Sequence, residues 1–330
     1  MPTNHMPSND PSPLPSIDQP EQAANIDRGR RFRRILQKTW PFHLMLLPAV
    51  VLAVLFNYLP MFGVVMAFQD YKPWTGFTHS HWVGLKHFAA IFERKDSVQV
   101  IWNTFIIASL KIIFIIIVPV TFALLLNEVR RSLFKRTVQT LVYLPHFLSW
   151  VILGGILVDL LSPEGGLVNR VLSGWFGIGP IFFLGDGDWF RFTVVVSHIW
   201  KEFGYGSIIY LAALTSINPD LYEAAEVDGA SRWKQTVHIT LPSLMPIIAV
   251  CTTLEMSNIL SAGFDQILNL YNPLVYDKGD IIDTFVYRVG ILDQQMSFSA
   301  AIGLFKSVVT LVLVVTLYRL AYKFANYRIF

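Results

Sequence analysis

Six apolar segments, each long enough to cross a lipid bilayer as a helix, constrain the fold of this chain more than any other feature. A transmembrane helix needs roughly 20 predominantly apolar residues. The segments that meet this need cover residues 43–68, 101–126, 138–161, 192–215, 243–264 and 298–322. The chain is also 53% hydrophobic and only 15% charged, which excludes an ordinary soluble domain. We therefore predict an all-α membrane protein with six transmembrane helices.

The distribution of lysine and arginine predicts how these spans are oriented. Fifteen of these residues lie in the two termini and the loops that follow the second and fourth spans, against eight in the other loops. Cytoplasmic loops are enriched in basic residues. Both termini, and the loop at residues 218–242, are therefore assigned to the cytoplasm.

The N-terminal segment, residues 1–40, differs in composition from the remaining chain. Its first part is rich in proline and serine and has little to bury, so we expect it to be disordered. An arginine cluster follows, directly before the apolar residues of a membrane domain at 41–330. Such a cluster is typical of a cytoplasmic anchor at the lipid surface, and it lacks the base-reading groups that a nucleic-acid partner would require. The single cysteine, Cys251, excludes an intrachain disulfide.

A polar region of distinctive sequence separates the fourth and fifth apolar segments. Residues 218–229 read Asn-Pro-Asp-Leu-Tyr-Glu-Ala-Ala-Glu-Val-Asp-Gly. Asn218 can cap a helix and Pro219 suits its first position, so we expect a short helix that stops where Gly229 turns the chain. A second helix should begin near Ser231 and end before Pro242, because a residue that precedes proline disfavours helical geometry. The pattern predicts a helix-turn-helix with a tight, buried turn, suited to inserting into another protein.

This region resembles the cytoplasmic coupling loop of ATP-binding cassette (ABC) importer permeases. The positions that carry the resemblance or form the turn are Glu223, Ala224, Ala225, Asp228, Gly229, Ile239, Leu241 and Pro242. In that family the loop docks in a groove on the ATP-hydrolysing subunit and carries its movement into the membrane. The resemblance implies the type I importer permease (MetI-like) fold, with its core at about 98–320 and the coupling loop at 218–242.

Most of the chain from Pro41 onward resembles the carbohydrate permeases related to the maltose system, in particular their LplB-like subgroup. The stretches that carry this likeness include Tyr58-Leu59-Pro60, Gly263-Phe264-Asp265-Gln266 and Asp280-Ile281-Ile282-Asp283-Thr284. The resemblance implies a bacterial cytoplasmic (inner) membrane protein that pairs with a second homologous permease. It also implies two copies of an ATPase subunit, which bind the ATP and magnesium, and an extracytoplasmic sugar-binding protein. The implied substrate is a sugar or oligosaccharide, including the uronate type that alginate importers carry.

Ionisable residues within the apolar segments are candidates for function, since a charge near the bilayer centre costs at least about 2.5 kcal/mol. They are Lys111, Asp159, Lys201, Glu202, Glu255 and Lys306. Lys201 and Glu202 are neighbours in sequence, so we expect them to face different partners.

The fifth segment gives the clearest pattern among these residues. Thr252, Glu255, Asn258 and Ser261 recur at helical spacing, which predicts one polar face lining a substrate path. A structural ion pair is the alternative role for Glu255. Lys306 is a candidate counter-ion for Glu255 or a separate substrate contact. Asp265, in a family-like motif, is added to the substrate path.

Catalytic motifs are missing from the sequence. No P-loop, His-Glu-x-x-His or Gly-x-Ser-x-Gly run occurs, so we expect a transport subunit without enzymatic activity. Two other interpretations stay open at this point. A stand-alone channel or ion-coupled carrier explains the spans but leaves the polar loop without a role. A membrane scaffold that binds an ATPase keeps the loop but predicts no substrate flux.

Overall fold

The computed structural model describes residues 39–325 of the protein. Most of the predicted disordered segment at 1–40, and the C-terminal Arg328, lie outside the described residues. The chain divides into two units, Met1–Gly63 and Val64–Phe330, and the described part of the first unit is helical. That part belongs to helix α1, Thr39–Phe68, which contains a π turn at Val54–Tyr58 and continues in 3-10 geometry.

Helices form at each of the six predicted spans, although the third is bent and the fifth ends early, at Met256. Besides α1, the unbroken ones are α4 (Lys95–Asn127), α8 (Gly187–Thr215) and α15 (Met296–Ala325). Within the described residues, four helices have the length and composition to cross a membrane, and a bent pair of helices would make a fifth span. Helix α8 carries more charge, but its 29 residues extend about 43 Å, enough to cross a bilayer.

The third predicted span is broken, which corrects the expectation of one helix over 138–161. Helix α5 (Ser132–Tyr143) tightens to 3-10 geometry at Leu144–Phe147, and α6 (Trp150–Leu161) leaves at an angle of 105°. Pro145 removes one backbone donor at this point. Ser149 then starts α6, since its Oγ accepts a hydrogen bond from the Ile152 N–H at 3.3 Å.

Short elements connect the spans. The connection between α1 and α4 contains β1 (Gln69–Asp70), α2 (Gly76–His79), β2 (His81–Trp82) and α3 (Lys86–Glu93). The two strands pair antiparallel, with Gln69 opposite Trp82. Helix α7 (Leu167–Phe176) follows α6 and ends at a left-handed Gly177.

The loop after α8 and the fifth span form a second series of helices. It comprises α9 (Asp220–Val227), α10 (Arg232–Gln235) and α11 (Leu241–Met256), with a π segment at Thr236–Thr240 that joins α10 to α11. The expectation that the second loop helix ends before Pro242 is therefore wrong. The π turn widens the backbone just before Pro242, which allows the helix to continue past a residue without an N–H.

The region between the fifth and sixth spans is also helical. It contains α12 (Phe264–Leu270), a 3-10 turn at Pro273–Val275, α13 (Tyr276–Gly279), α14 (Ile282–Tyr287) and a π turn at Arg288–Leu292. Helices α4 and α8 pack along each other, and α12 and α13 cover one end of that pair. The buried centre of this packing includes Ile107, Phe190 and Ile267, each fully buried.

Candidate functional site

The loop at 218–242 adopts the predicted helix-turn-helix. Asn218 Oδ1 accepts a hydrogen bond from the Asp220 N–H at 3.1 Å, which starts α9. The turn is closed by a hydrogen bond from the Ala230 N–H to the Ala225 carbonyl at 2.8 Å. Gly229 takes φ +73°, a left-handed geometry that favours glycine. The sequence motif therefore specifies this backbone directly.

The root of the loop is fixed, while its tip is exposed. Tyr222 Oη and Thr240 Oγ1 lie 2.9 Å apart, and the buried Gln235 donates to the Ala230 carbonyl at 3.3 Å. At the tip, by contrast, Val227 is 88% exposed and Trp233 is 76% exposed. Exposed apolar groups on an otherwise polar loop mark a surface that another molecule covers.

The predicted coupling residues lie along this exposed part and at its root. Glu223, Ala224, Asp228 and Gly229 are exposed, whereas Ala225 is half-buried. Leu241 packs partly into the core between α8 and α11, and Pro242 follows it at the start of α11. The turn is thus not buried within this chain, which corrects that expectation. A Cβ at Gly229 would meet no atom within 4 Å, so only the left-handed backbone disfavours other residues there.

A polar cavity of about 120 Å³ lies within the membrane-spanning helices. Its polar lining side chains are Lys111, His198, Glu255, Asn258 and Ser261. Helix α11 ends at Met256, so the prediction of a single helical face from Thr252 to Ser261 is wrong. The backbone instead turns through hydrogen bonds between residues three apart, such as the Asn258 N–H to the Glu255 carbonyl at 2.9 Å. Glu255, Asn258 and Ser261 still line one cavity.

Lys111 forms the most buried charged contact of this cavity, with 4% of the residue exposed. Its Nζ donates to the Ala262 carbonyl and to Gln266 Oε1, each at 2.5 Å. Gln266 in turn donates to the Val194 carbonyl at 2.7 Å and to Ser197 Oγ at 2.8 Å. One lysine and one amide therefore connect α4, α8 and α12 deep in the bundle. Sequence reasoning noted Lys111 as an intramembrane charge but missed Gln266, although the family-like motif contains it.

The other two candidates for the substrate path lie away from the cavity. Lys306 Nζ is 2.5 Å from Asp283 Oδ1, which joins α15 to α14. It is not the counter-ion of Glu255, and that expectation is wrong. Asp265 begins α12 with its side chain exposed, and it does not line the cavity that contains Glu255 and Asn258.

A second charged cluster lies at the break between α5 and α6. His146 Nδ1 is 2.7 Å from Glu202 Oε2, and Lys201 Nζ donates to the His146 carbonyl at 2.7 Å. Lys201 and Glu202 also approach each other to 3.3 Å, so the expectation that they face wholly different partners is wrong. The Tyr205 ring stacks on His146 with centroids 4.0 Å apart. These contacts hold the broken span against α8, and sequence reasoning missed His146.

A protein-family match covers both the coupling loop and the intramembrane cavity residue Glu255. Residues 115–326 match the model of a family described as the binding-protein-dependent transport system inner membrane component. The chain belongs to this family. The matched region includes the 218–242 loop and Glu255 of the permease, and it supports a subunit of an import system over a stand-alone channel.

Similar proteins give the same result across nearly the whole permease. It is 43% identical to the "Polygalacturonan/rhamnogalacturonan transport system permease protein YteP" of Bacillus subtilis, over 92% of this chain and 94% of that protein. It is 40% identical to the protein LplB of the same organism, over 92% and 95% of the two chains.

A solved structure shares the fold of the permease. The match has a TM-score of 0.81 at 40% identity and covers 89% of this chain and 99% of the other. That structure is of a bacterial ABC transporter involved in the import of the acidic polysaccharide alginate. A second structure of such a transporter, in complex with an alginate pentasaccharide-bound periplasmic protein, matches equally well. The chain is therefore an inner membrane permease with the fold of an ABC importer.

Proposed function

We propose that this permease translocates a sugar or oligosaccharide, of the acidic uronate type, across the bacterial cytoplasmic membrane by alternating access. The observation that carries the proposal is the exposed, apolar-tipped coupling loop in a chain 43% identical to a polygalacturonan and rhamnogalacturonan permease. The alginate transporter of the same fold supports an acidic saccharide as the substrate class.

The energy for transport comes, in this proposal, from partner subunits. Two copies of an ABC ATPase bind ATP and magnesium, and one of them receives the 218–242 loop in a groove. Closure of the ATPase pair then moves the loop, and its fixed root transmits the movement to α8 and α11. The loop and both termini accordingly lie in the cytoplasm, as the basic residues predict. This chain itself binds no cofactor.

The intramembrane cavity supports a pairing with a second, homologous permease. At about 120 Å³ the cavity is well below the roughly 300 Å³ at which small-molecule sites begin. Asn258 and Ser261 are nevertheless exposed on this chain, and Glu255 is half-buried. A path wide enough for a sugar therefore needs a facing wall, which a second permease would supply. Glu255 and Asn258 would line it, with acceptors and donors suited to hydroxyl groups.

Purification combined with uptake tests this function. The tagged chain would be purified gently from its native membranes, and the proteins that accompany it would be identified by mass spectrometry. We expect an ATPase subunit, a second permease and an extracytoplasmic sugar-binding protein. Cells with the chain should accumulate labelled uronate oligosaccharides, and cells without it should not. A chain that repeatedly purifies alone while folded, with no effect on saccharide uptake, would contradict the proposal.

A further inference from the structure

A second cleft, larger than the intramembrane cavity, lies apart from the coupling-loop residues. It measures about 400 Å³, within the range of small-ligand sites. It is formed where the connection after α1 meets the start of α15. Its lining includes Asp70, Lys72, Trp74, Arg94, Gln294 and Gln295. None of these residues belongs to the coupling loop or to the intramembrane cavity.

The cleft carries cations that suit an anion. Lys72 is exposed, and Arg94 keeps 39% of its side chain exposed. Asp70 contributes one carboxylate to the lining, and Asp96 approaches the Arg94 guanidinium to 4.0 Å from outside the cleft. Arginine presents a planar fork that matches a carboxylate, and lysine adds a second positive charge.

Arg94 is also held in place. Its Nη1 donates to Gln295 Oε1 at 3.3 Å, and its guanidinium carbon lies 4.9 Å from the centre of the Phe298 ring. These contacts orient the guanidinium before any ligand arrives, which lowers the entropy lost on binding. A free surface arginine would not be fixed in this way.

The cleft also has an exposed aromatic ring and a strained backbone. Trp74 is 79% exposed, although large aromatic side chains normally bury most of their surface. Gln294 adopts φ +58°, the left-handed region, and is the non-glycine residue that does so within the described part of the chain. Such strain persists where the surrounding structure holds it, frequently at a ligand site. Here the Tyr71 N–H donates to Ser297 Oγ at 2.8 Å, which joins the connection after α1 to the start of α15.

We propose that this cleft is a saccharide subsite on the outer face of the permease that takes a carboxylate-bearing sugar residue. Arg94 and Lys72 would bind the carboxylate, Trp74 would stack on the apolar face of the ring, and Gln294 and Gln295 would pair with hydroxyl groups. This inference rests on the proposed function, because it assumes that the chain handles a saccharide. It adds a site distinct from the path through the membrane.

Equilibrium dialysis of the intact complex tests the subsite. The complex would be purified in detergent without its sugar-binding protein, and labelled trigalacturonate and neutral maltotriose would serve as probes. We expect Arg94→Gln to raise the Kd for trigalacturonate about tenfold, since a charge-assisted contact is lost. Its Kd for maltotriose should not change. Arg170→Gln, an exposed cation outside the cleft, is the matched control and should leave both values unchanged.

The outcomes separate the subsite from the transport function. Trp74→Ala should weaken binding of both saccharides, because stacking does not depend on charge. An unchanged Kd for saccharide in both cleft variants would overturn the subsite. Variants that bind saccharide normally but capture less sugar-binding protein would also overturn it, and would make the cleft a protein-docking surface. Saccharide uptake by wild-type cells, measured in parallel, tests the proposed function alone. If wild-type cells take up the saccharide but the cleft variants keep an unchanged Kd, only the subsite is overturned.

Discussion

Replacing Gln266 with leucine removes the side chain that holds the buried ammonium group of Lys111. Gln266 is fully buried, and its amide accepts from Lys111 Nζ at 2.5 Å while donating to Val194 O and Ser197 Oγ. Leucine has a similar size, so the change deletes three hydrogen bonds and creates little empty space. The Lys111 ammonium then keeps its hydrogen bond to the Ala262 carbonyl.

The expected loss of stability is about 3 kcal/mol. Hydrogen bonds between membrane helices average about 0.6 kcal/mol each, so three of them account for about 2 kcal/mol. Removing one partner from a buried charge costs roughly 3–5 kcal/mol, and the retained Ala262 carbonyl places Gln266→Leu at the lower end. For a chain of 330 residues the loss corresponds to a fall in Tm of about 4 °C.

A double variant distinguishes the stranded charge from a packing defect. Lys111→Met combined with Gln266→Leu removes the cation along with its partner, so the double variant should lose less stability than the two single losses combined. The assay is the fraction of intact complex that remains soluble after heating in detergent. Gln139→Leu, a half-buried amide on α5, is the control and should change Tm little. Strictly additive losses in the double variant would refute the reasoning.

Three further predictions concern the loop, the cavity and the outer region. Gly229→Asp should leave the complex assembled, because its strain of roughly 1–2 kcal/mol is local, but ATPase measurements should detect hydrolysis without uptake. Glu255→Gln should lower saccharide uptake without lowering Tm. Unchanged uptake kinetics would show that Glu255 has no role in the substrate path. Burial raises the pKa of Asp280, opposed by Thr284 and Arg288, so Arg288→Met should raise it further. Since the folded state then favours the protonated acid, Tm of that variant should fall as pH rises above about 4, and equal Tm values at pH 4 and 7 would contradict this.

The positions of the spans and the form of the loop could be predicted because both depend on local sequence. An apolar run of 20 residues has few alternatives to a transmembrane helix. Likewise Asn218 and Gly229 act on backbone atoms within three residues of themselves, as the hydrogen bond from the Asp220 N–H to Asn218 Oδ1 and the left-handed turn show. Helix α9 nevertheless begins one residue later than predicted, after Pro219. Such signals do not depend on the packing of distant segments.

The contacts that shape the bundle could not be predicted in the same way. The break at Ser149 is held by His146 against Glu202, residues 56 positions apart. After α11 ends at Met256, the chain places the Ala262 carbonyl 2.5 Å from Lys111 Nζ, a residue 151 positions away. The apolar segment predicted at 243–264 includes both α11 and the turn that follows it, so the prediction of one helix did not separate the two.

The pairing of charges is the clearest example of this limit. Sequence reasoning offered Lys306 as the counter-ion of Glu255 or as a separate substrate contact. The structure places Asp283 against Lys306 instead, from a helix outside the spans. Charge complementarity indicates that a partner exists, but only the fold decides which carboxylate is near enough.

Photo-crosslinking from the tip of the loop tests the central claim most directly, namely that this permease is driven through residues 218–242 by an ATPase subunit. A photoreactive amino acid would replace Val227, which is 88% exposed, in cells that express the whole system. The same group at Leu274, which is 68% exposed in the region between α12 and α13, serves as the control. We predict a crosslink from position 227 to the ATP-hydrolysing subunit and none from position 274. A folded, membrane-inserted complex in which position 227 crosslinks to no ATPase would contradict the account.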